Sequence, residues 1–81
     1  MNTDEIRQAL FDILKRIAPE SDPATLEPDD NIRKKLDIDS FDALTFFVRI
    51  HEELGVTVPE SDYGQLHTLS QILRYLESRV A

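Results

Sequence analysis

Apolar residues recur every three or four positions in three stretches of the chain, with polar residues at most positions between them. This spacing places the apolar side chains of each stretch on one face of an α-helix. The expected buried stripes are Ile6, Leu10, Ile13, Leu14 and Ile17; Ala43, Phe46, Phe47, Ile50 and Leu54; and Leu69, Ile72, Leu73, Leu76 and Val80. The pattern predicts three main helices, over about residues 3–17, over residues 40–54 and from Thr68 onward.

Residues at the ends of these stretches carry the signals of helix capping. Asn2 with Glu5, and Thr68 with Gln71, have the spacing of a capping box, in which each side chain accepts a hydrogen bond from the other residue's backbone N–H. Gly55 stands where the helix over residues 40–54 needs a C-terminal cap. These signals fix the expected helix ends independently of the apolar stripes.

The remaining segments are connections. Residues 18–39 contain three of the four prolines and predict a long loop. The apolar residues expected to pin this loop onto the core are Leu26, Ile32 and Leu36. Residues 56–59 are too short, and too limited by Pro59, to form a useful strand, and residues 60–65 predict a brief turn of helix. The predicted fold class is all-α: a small four-helix bundle with three main helices, one short helix and a long first loop.

Composition narrows the classes of function. The length of 81 residues allows one small domain, expected to cover residues 1–81. The chain has no cysteine, which excludes disulfide bonds, thiolate zinc sites and cysteine nucleophiles. A net charge of −7 argues against nucleic acid and anionic membrane surfaces as partners. No apolar run is long enough to span a bilayer and the first residues lack the basic start of a secretory signal, so the predicted location is cytoplasmic.

The helix predicted for residues 40–54 has an unusual charge and a second apolar face. Residues 37–62 contain seven acidic residues and one basic residue, which is most of the excess negative charge. Phe41 and Val48 lie nearly opposite the buried stripe, with Leu44 between the two sets. The long loop or the short helix could cover these side chains; otherwise they form an apolar patch ringed by acids, typical of a transient protein-binding surface. The acidic surface is likewise either a solvated face or a docking surface for basic partners.

Asp39 and Ser40 lie at the junction of the long loop and this helix. A serine at such a place is ordinarily an N-cap. If Ser40 were the cap, a capping box would need Glu or Gln at position 43, where the chain has Ala43. If Asp39 is the cap instead, the Ser40 hydroxyl is free on the first turn. A phosphate ester on that oxygen would lie against unpaired N–H groups at the positive end of the helix.

The segment Asp39-Ser40-Phe41-Asp42, followed by an acidic amphipathic helix, resembles the attachment motif of the acyl carrier protein family. The resemblance extends to Leu36-x-Ile38, Glu52-Glu53-Leu54-Gly55, Val56-x-Val58-Pro59 and Thr68-Leu69. It implies a four-helix, non-catalytic carrier that a phosphopantetheinyl transferase modifies with 4′-phosphopantetheine from coenzyme A. The thiol of that arm would hold an acyl group as a thioester. The carrier would present it to enzymes of fatty acid, polyketide or related lipid or secondary metabolism.

The resemblance also implies roles for single residues. Ser40 is the implied attachment point and Asp39 the adjoining acid of the motif. The implied apolar partner-binding positions are Phe41, Leu44 and Val48, and the implied acidic ones are Asp42, Glu52 and Glu53. These positions would meet the transferase and the acyl-transferring or condensing enzymes, which would carry basic docking patches. The carrier is expected to be a monomer without a metal ion.

Four positions depart from the family's pattern. Asp37 stands where a glycine is usual. Thr45 and His51 stand where carriers of fatty acid synthesis typically have glutamates, and Gly64 stands where an acid is frequent. These changes alter the face that partner enzymes contact. They favour a specialised carrier over one of primary fatty acid synthesis.

Two alternatives stay open, and two classes are not expected. An aminoacyl or peptidyl carrier is the nearer alternative, because the same fold and serine serve amino-acid cargo. An unmodified acidic helical interaction module is the alternative from another class. Catalysis is not expected, because His51 and His67 have no sequence-adjacent nucleophile or orienting acid. A calcium loop beginning at Asp37 is not expected either, because Asp42 stands where the loop needs glycine and Val48 where it needs its closing glutamate.

Overall fold

The computed structural model describes residues 1–80, which form four α-helices and two short 3₁₀ segments. The helices are α1 (Thr3–Ile17), α2 (Ile32–Leu36), α3 (Ser40–Leu54) and α4 (Leu69–Glu77), and the 3₁₀ segments are Pro23–Thr25 and Glu60–Gln65. These residues contain no strand, and an isolated antiparallel bridge pairs Asn31 with Thr68. Within residues 1–80, none of the helices has both the length and the hydrophobicity that a membrane span requires. The all-α prediction is confirmed, as are the bounds of the first two main helices and the helical turn at 60–65.

Both predicted capping boxes are present. At the start of α1, Glu5 N–H donates to Asn2 Oδ1 at 2.8 Å and Asn2 N–H donates to Glu5 Oε1 at 3.0 Å. At the start of α4, Gln71 N–H donates to Thr68 Oγ1 at 3.2 Å and Thr68 N–H donates to Gln71 Oε1 at 3.0 Å. Gly55 ends α3 in the left-handed conformation, with φ 71°, which a residue without a Cβ adopts at little cost. Local sequence therefore determines where the three long helices begin or end.

The core lies between α1, α3 and α4, and α1 packs against both of the others. The predicted stripes supply its buried side chains: Ile6, Leu10, Ile13 and Leu14 from α1, Phe46, Phe47 and Ile50 from α3, and Leu69, Ile72, Leu73 and Leu76 from α4. The outer members of the stripes, Ile17, Leu54 and Val80, are only partly buried. Val80 also lies beyond the end of α4. No polar or charged residue is buried among residues 1–80, so the apolar contacts carry most of the stability.

The prediction of a loop over residues 18–39 was wrong for residues 32–36, which form α2. Asn31 caps this helix, since its Oδ1 accepts a hydrogen bond from Lys34 N–H at 3.1 Å. Ile32 and Leu36 are one helical turn apart and both are buried. A five-residue helix is too short to show a repeating apolar pattern, which is why periodicity did not reveal it. Leu26 is buried as well, as expected.

Backbone hydrogen bonds fix the start of α2 and the segment before it to the start of α4. Ile32 N–H donates to His67 O at 3.0 Å, and Ser70 N–H donates to Pro28 O at 2.9 Å. The chain leaves α2 through Asp37, which has φ 54° and ψ 49° in the left-handed region. The resemblance noted above implies a glycine here, which would adopt this conformation at little cost, and asparagine and aspartate also tolerate it. The sharp turn brings the chain directly into α3.

Candidate functional site

Asp39, and not Ser40, is the N-cap of α3. Asp39 Oδ1 accepts a hydrogen bond from Asp42 N–H at 2.9 Å, and the backbone of Asp39 is extended. Ser40 is therefore the first helical residue. Its side chain is exposed, and its hydroxyl makes no hydrogen bond to any of residues 1–80. Of the two arrangements that the sequence left open, the structure has the one in which Asp39 caps the helix and the Ser40 hydroxyl is free.

The start of α3 carries charge of both signs. The first N–H groups of an α-helix have no intrahelical partner and form its positive end, which suits an anionic group on Ser40. Asp37, Asp39 and Asp42 all lie within three positions of that serine. Their carboxylates oppose a further negative charge at short range. A phosphate at this place would therefore gain from a nearby cation.

A cavity of about 360 Å³ opens beside Ser40, between α2, α3 and the segment leading into α4. Its apolar lining comprises Ile32, Ile38, Phe41, Ala43, Leu44, Phe46, Phe47, Tyr63, Leu66 and Ile72. Its polar lining comprises Arg33, Ser40, Glu60 and His67. The size is at the lower end of the range for sites that hold small organic molecules. The mainly apolar lining suits an apolar chain better than a charged one.

Aromatic rings form one wall of this cavity. Tyr63 stacks on Phe47 with ring centroids 4.3 Å apart and an interplanar angle of 15°. Phe46 and Phe47 lie 5.6 Å apart with their rings tilted by 41°. The Tyr63–Phe47 contact holds the 3₁₀ segment Glu60–Gln65 against α3. The short helical turn predicted from the sequence thus shapes the cavity.

The second apolar face of α3 is exposed. Phe41 is 78% exposed, Leu44 46% and Val48 47%. The interpretation that the long loop or the short helix covers Phe41 and Val48 is therefore wrong. The three side chains follow one another at positions i, i+3 and i+7, which share one face of a helix. We call this set the apolar patch.

The three acidic residues predicted to bind partners differ in their surroundings. Asp42 lies in the first turn of α3 and is partly buried. The Glu52 side chain is 54% exposed, with Oε2 3.6 Å from Arg49 Nη1. The Glu53 side chain is 32% exposed and forms an ion pair with Arg16 of α1, with Oε1 2.8 Å from Nη1. Of the three, Glu52 is thus the acidic side chain most open to solvent, while Asp42 is partly buried and the charge of Glu53 is paired with Arg16.

Three polar residues of the cavity were not predicted from the sequence as part of this site. Arg33, Glu60 and His67 are 7, 20 and 27 positions from Ser40 and share no motif with it. His67 Nδ1 and Nε2 have no hydrogen-bond partner in the described part of the chain, while His51 Nδ1 lies 3.1 Å from Thr57 Oγ1.

No group of three or more His, Asp or Glu side chains suited to a metal ion is found among residues 1–80.

Comparison with known proteins gives a family match over most of the chain. The family model described as phosphopantetheine attachment site matches residues 4–76. An acyl carrier protein of Renibacterium salmoninarum is 30% identical over 83 residues, covering 99% of this chain and 98% of that protein. An acyl carrier protein of Thermosynechococcus vestitus is 28% identical over 60 residues, which is 74% of each chain. A mitochondrial acyl carrier protein of Neurospora crassa is 23% identical over 79 residues, covering 98% of this chain and 59% of that protein.

Proposed function

The chain belongs to the acyl carrier protein family, whose members are non-catalytic carriers with covalently attached 4′-phosphopantetheine, and we propose that Ser40 carries this group. The observation that supports Ser40 is its place on the first turn of α3, exposed and without a hydrogen bond to residues 1–80. Asp39 supports this assignment indirectly, because Asp39 caps the helix and the Ser40 hydroxyl is not needed for that role. The residues present fit the group: a hydroxyl for the ester and a cavity beside it.

The proposed modification is a transfer from coenzyme A. The Ser40 oxygen would form a bond to the phosphorus next to the pantetheine, and the bond from that phosphorus to the adenosine bisphosphate would break. The hydroxyl proton would pass to the phosphopantetheinyl transferase. When bound, the arm supplies a terminal thiol that holds cargo as a thioester. The chain's own part is to present the hydroxyl and to offer surfaces for the enzymes.

The proposed cargo is an acyl group. The cavity beside Ser40 is lined mainly by aliphatic and aromatic side chains, and each methylene group that leaves water there gains about 0.8 kcal/mol. An aminoacyl or peptidyl cargo would place a charged amine or polar amides against the same lining, at a cost in desolvation. The apolar lining therefore favours acyl cargo over the aminoacyl alternative.

The proposed pathway is a specialised branch of fatty acid, polyketide or related lipid or secondary metabolism. Thr45 and His51 are exposed on α3, where carriers of fatty acid synthesis typically have glutamates, and Gly64 lies in the segment Glu60–Gln65. A partner enzyme that depends on those glutamates would lose part of its charge complementarity with this chain. The altered face therefore supports a dedicated set of partners.

The proposed partners are a phosphopantetheinyl transferase and acyl-transferring or condensing enzymes with basic docking patches. The apolar patch would supply the buried centre of these contacts, and Asp42, Glu52 and Glu53 would supply the acidic border. A monomeric carrier and a single domain over residues 1–81 are part of the same proposal. The cytoplasmic location stays a prediction, since the relatives from Neurospora crassa and Saccharomyces cerevisiae are named as mitochondrial.

The test is the intact mass of the protein after incubation with coenzyme A and a promiscuous phosphopantetheinyl transferase. We expect a gain of one phosphopantetheinyl group, lost in Ser40→Ala. Ser61→Ala is the matched control, because Ser61 is also an exposed serine near the start of a helical segment and follows an acid. Circular dichroism of Ser40→Ala should show an unchanged helix content. An unmodified but folded wild-type chain would refute the proposal and favour the interaction module.

A further inference from the structure

Arg33 lies on the wall of the cavity that opens beside Ser40. It is the first of three consecutive basic residues on α2, and the other two, Lys34 and Lys35, do not line the cavity. All three are exposed, whereas Ile32 and Leu36 on either side are buried. Arg33 is therefore the cation of this helix that faces the candidate attachment site.

The guanidinium of Arg33 has no partner in the described chain. No carboxylate oxygen of residues 1–80 lies within 4.0 Å of it, although Glu60 lines the same cavity. By contrast, Arg7, Arg16 and Arg49 each pair with a carboxylate, and the Arg79 guanidinium lies 3.6 Å from the centroid of the Tyr75 ring. The five N–H donors of Arg33 are thus available to an anion that reaches the cavity.

Modification of Ser40 would place such an anion there. A phosphodiester carries one negative charge, and it would join the carboxylates of Asp37, Asp39 and Asp42 within three positions of the attachment point. Among the described residues that line the cavity, Arg33 is the one with a permanent positive charge. A guanidinium presents its donors in a planar fork that matches two oxygens of a phosphate group.

We propose that Arg33 binds the phosphodiester of the arm on Ser40 and so directs the arm toward the cavity. This inference rests on the proposed function of Ser40. The backbone supports the placement, because Ile38 N–H donates to Arg33 O at 3.0 Å and Ile32 N–H donates to His67 O at 3.0 Å. Both bonds hold the first turn of α2 in place on either side of Arg33. Arg33 is a positioning residue, since the chemistry of the cargo takes place at the far end of the arm.

The test compares three variants with the wild type by thermal denaturation of the loaded and unloaded forms, and by ³¹P NMR of the phosphodiester in the loaded form. The variants are Arg33→Gln, Lys34→Gln as the matched control on the same helix, and Arg33→Lys. The readout is the difference in Tm between loaded and unloaded protein, which cancels any effect of the substitution on the fold alone. We expect Arg33→Gln to lower this difference by about 4 °C relative to wild type, with a changed ³¹P shift.

The controls separate the contact from the general effect of charge. Lys34→Gln should leave both readouts as in wild type, and Arg33→Lys should restore part of the loss because it keeps the charge without the fork. Added salt should weaken the wild-type effect. Equal behaviour of Arg33→Gln and Lys34→Gln in the loaded form would overturn the inference while leaving Ser40 as the attachment point. So would an effect that appears only after the thiol is acylated, because Arg33 would then contact the cargo. A wild-type chain that gains no mass would overturn the proposed function and this inference together.

Discussion

Glu53 of α3 and Arg16 of α1 form an ion pair across the bundle, with Glu53 Oε1 2.8 Å from Arg16 Nη1. The neighbouring Glu52 points outward, and its nearest cation is Arg49 of the same helix at 3.6 Å. Two adjacent glutamates thus have different surroundings. A partner enzyme that docks on α3, as proposed, would use the charge of Glu52 without competition from α1, whereas it would compete with Arg16 for the charge of Glu53.

The two glutamates should therefore differ in their effect on docking. We expect Glu52→Gln to lower kcat/KM of a basic phosphopantetheinyl transferase about two- to fivefold, and Glu52→Lys to lower it further, because an exposed charge at a contact mainly affects association. Glu53→Gln should change kcat/KM less and cost under about 1 kcal/mol of folding free energy, since it removes an exposed ion pair. Initial rates of loading and urea denaturation measure the two quantities. Equal losses of kcat/KM for both substitutions to Gln would contradict this prediction.

The apolar patch yields a second prediction, centred on Val48. Val48→Glu should lower kcat/KM of loading about tenfold, because it places a charge in the apolar centre of the contact. The free energy of unfolding should change by less than about 0.5 kcal/mol, since Val48 is 47% exposed. Ala24→Glu is the control, because it adds the same charge at an exposed site in the segment Pro23–Thr25, outside α3. Loading of Val48→Glu at the wild-type rate would rule out the patch as a contact with the transferase.

Two substitutions of Asp39 distinguish the hydrogen bond that caps α3 from the charge of the carboxylate that accepts it. Asp39→Ala removes the acceptor of the Asp42 N–H and should cost about 1 kcal/mol of folding free energy. Asp39→Asn keeps an acceptor oxygen at the same place and should cost much less. Urea denaturation of both variants measures the difference. If Asp39→Asn were as unstable as Asp39→Ala, the stabilisation would come from the charge and not from the hydrogen bond.

Asp37 offers a substitution that should raise stability. Its φ of 54° strains a residue with a Cβ, and its carboxylate lies at the negative end of α2. Asp37→Gly removes both effects and should stabilise the fold by about 0.5–1 kcal/mol, although the added freedom of the unfolded chain offsets part of the gain. Asp37→Ala keeps the Cβ and serves as the control, which should gain less. Thermal and urea denaturation would show a lower stability of Asp37→Gly if this reasoning were wrong.

The contact between Tyr75 and Asp62 should make stability depend on pH in the alkaline range. The Tyr75 hydroxyl donates to Asp62 Oδ2 at 2.7 Å, and this hydrogen bond, together with burial, raises the pKa of Tyr75 above its ordinary value near 10. The folded state therefore binds the phenol proton more tightly than the unfolded state. The stabilisation is fully present below pH 10 and is lost as the pH rises through the pKa of the folded state.

Tyr75→Phe tests this dependence. It should cost about 0.5–1.5 kcal/mol at neutral pH, because the hydrogen bond to Asp62 is lost. The difference in unfolding free energy between wild type and Tyr75→Phe should shrink above pH 10. In that range the phenol of the wild type loses its proton, and with it the hydrogen bond that stabilises the folded state. Urea denaturation at several pH values measures it. A difference that stays constant into the alkaline range would contradict the assigned contact.

The sequence predicts those features that depend on neighbours along the chain. The stripes of α1 and α3 and the capping residues Asn2 and Thr68 each act within one helical turn or one repeating pattern, so periodicity and spacing revealed them. The position of Ser40 on the first turn of α3 also follows from local rules. The sequence left open which of Asp39 and Ser40 is the cap, and the hydrogen bond to Asp42 N–H decides it.

Features that depend on distant neighbours could not be predicted in this way. The pairing of Glu53 with Arg16 joins residues 37 positions apart on two helices. The approach of Arg33 to the cavity depends on α2, whose five residues show no periodicity. The exposure of Phe41 depends on where the connecting segments pack, which no local pattern determines. Tertiary packing thus determines most of the structural features that the spacing of apolar residues did not predict.

The hydrogen bonds of α2 have a consequence for the size of the cavity. They join α2 to the start of α4, and no backbone hydrogen bond in the described residues joins α3 to either of these walls. Side chains make contact across this boundary, as in the stack of Phe47 on Tyr63. Moving α3 away from the other two walls breaks no backbone hydrogen bond. It exposes apolar surface to water at a cost of about 25 cal/mol per Å², and an apolar occupant of the cavity would cover that surface again. We therefore expect the cavity to widen around a longer apolar occupant without loss of helix.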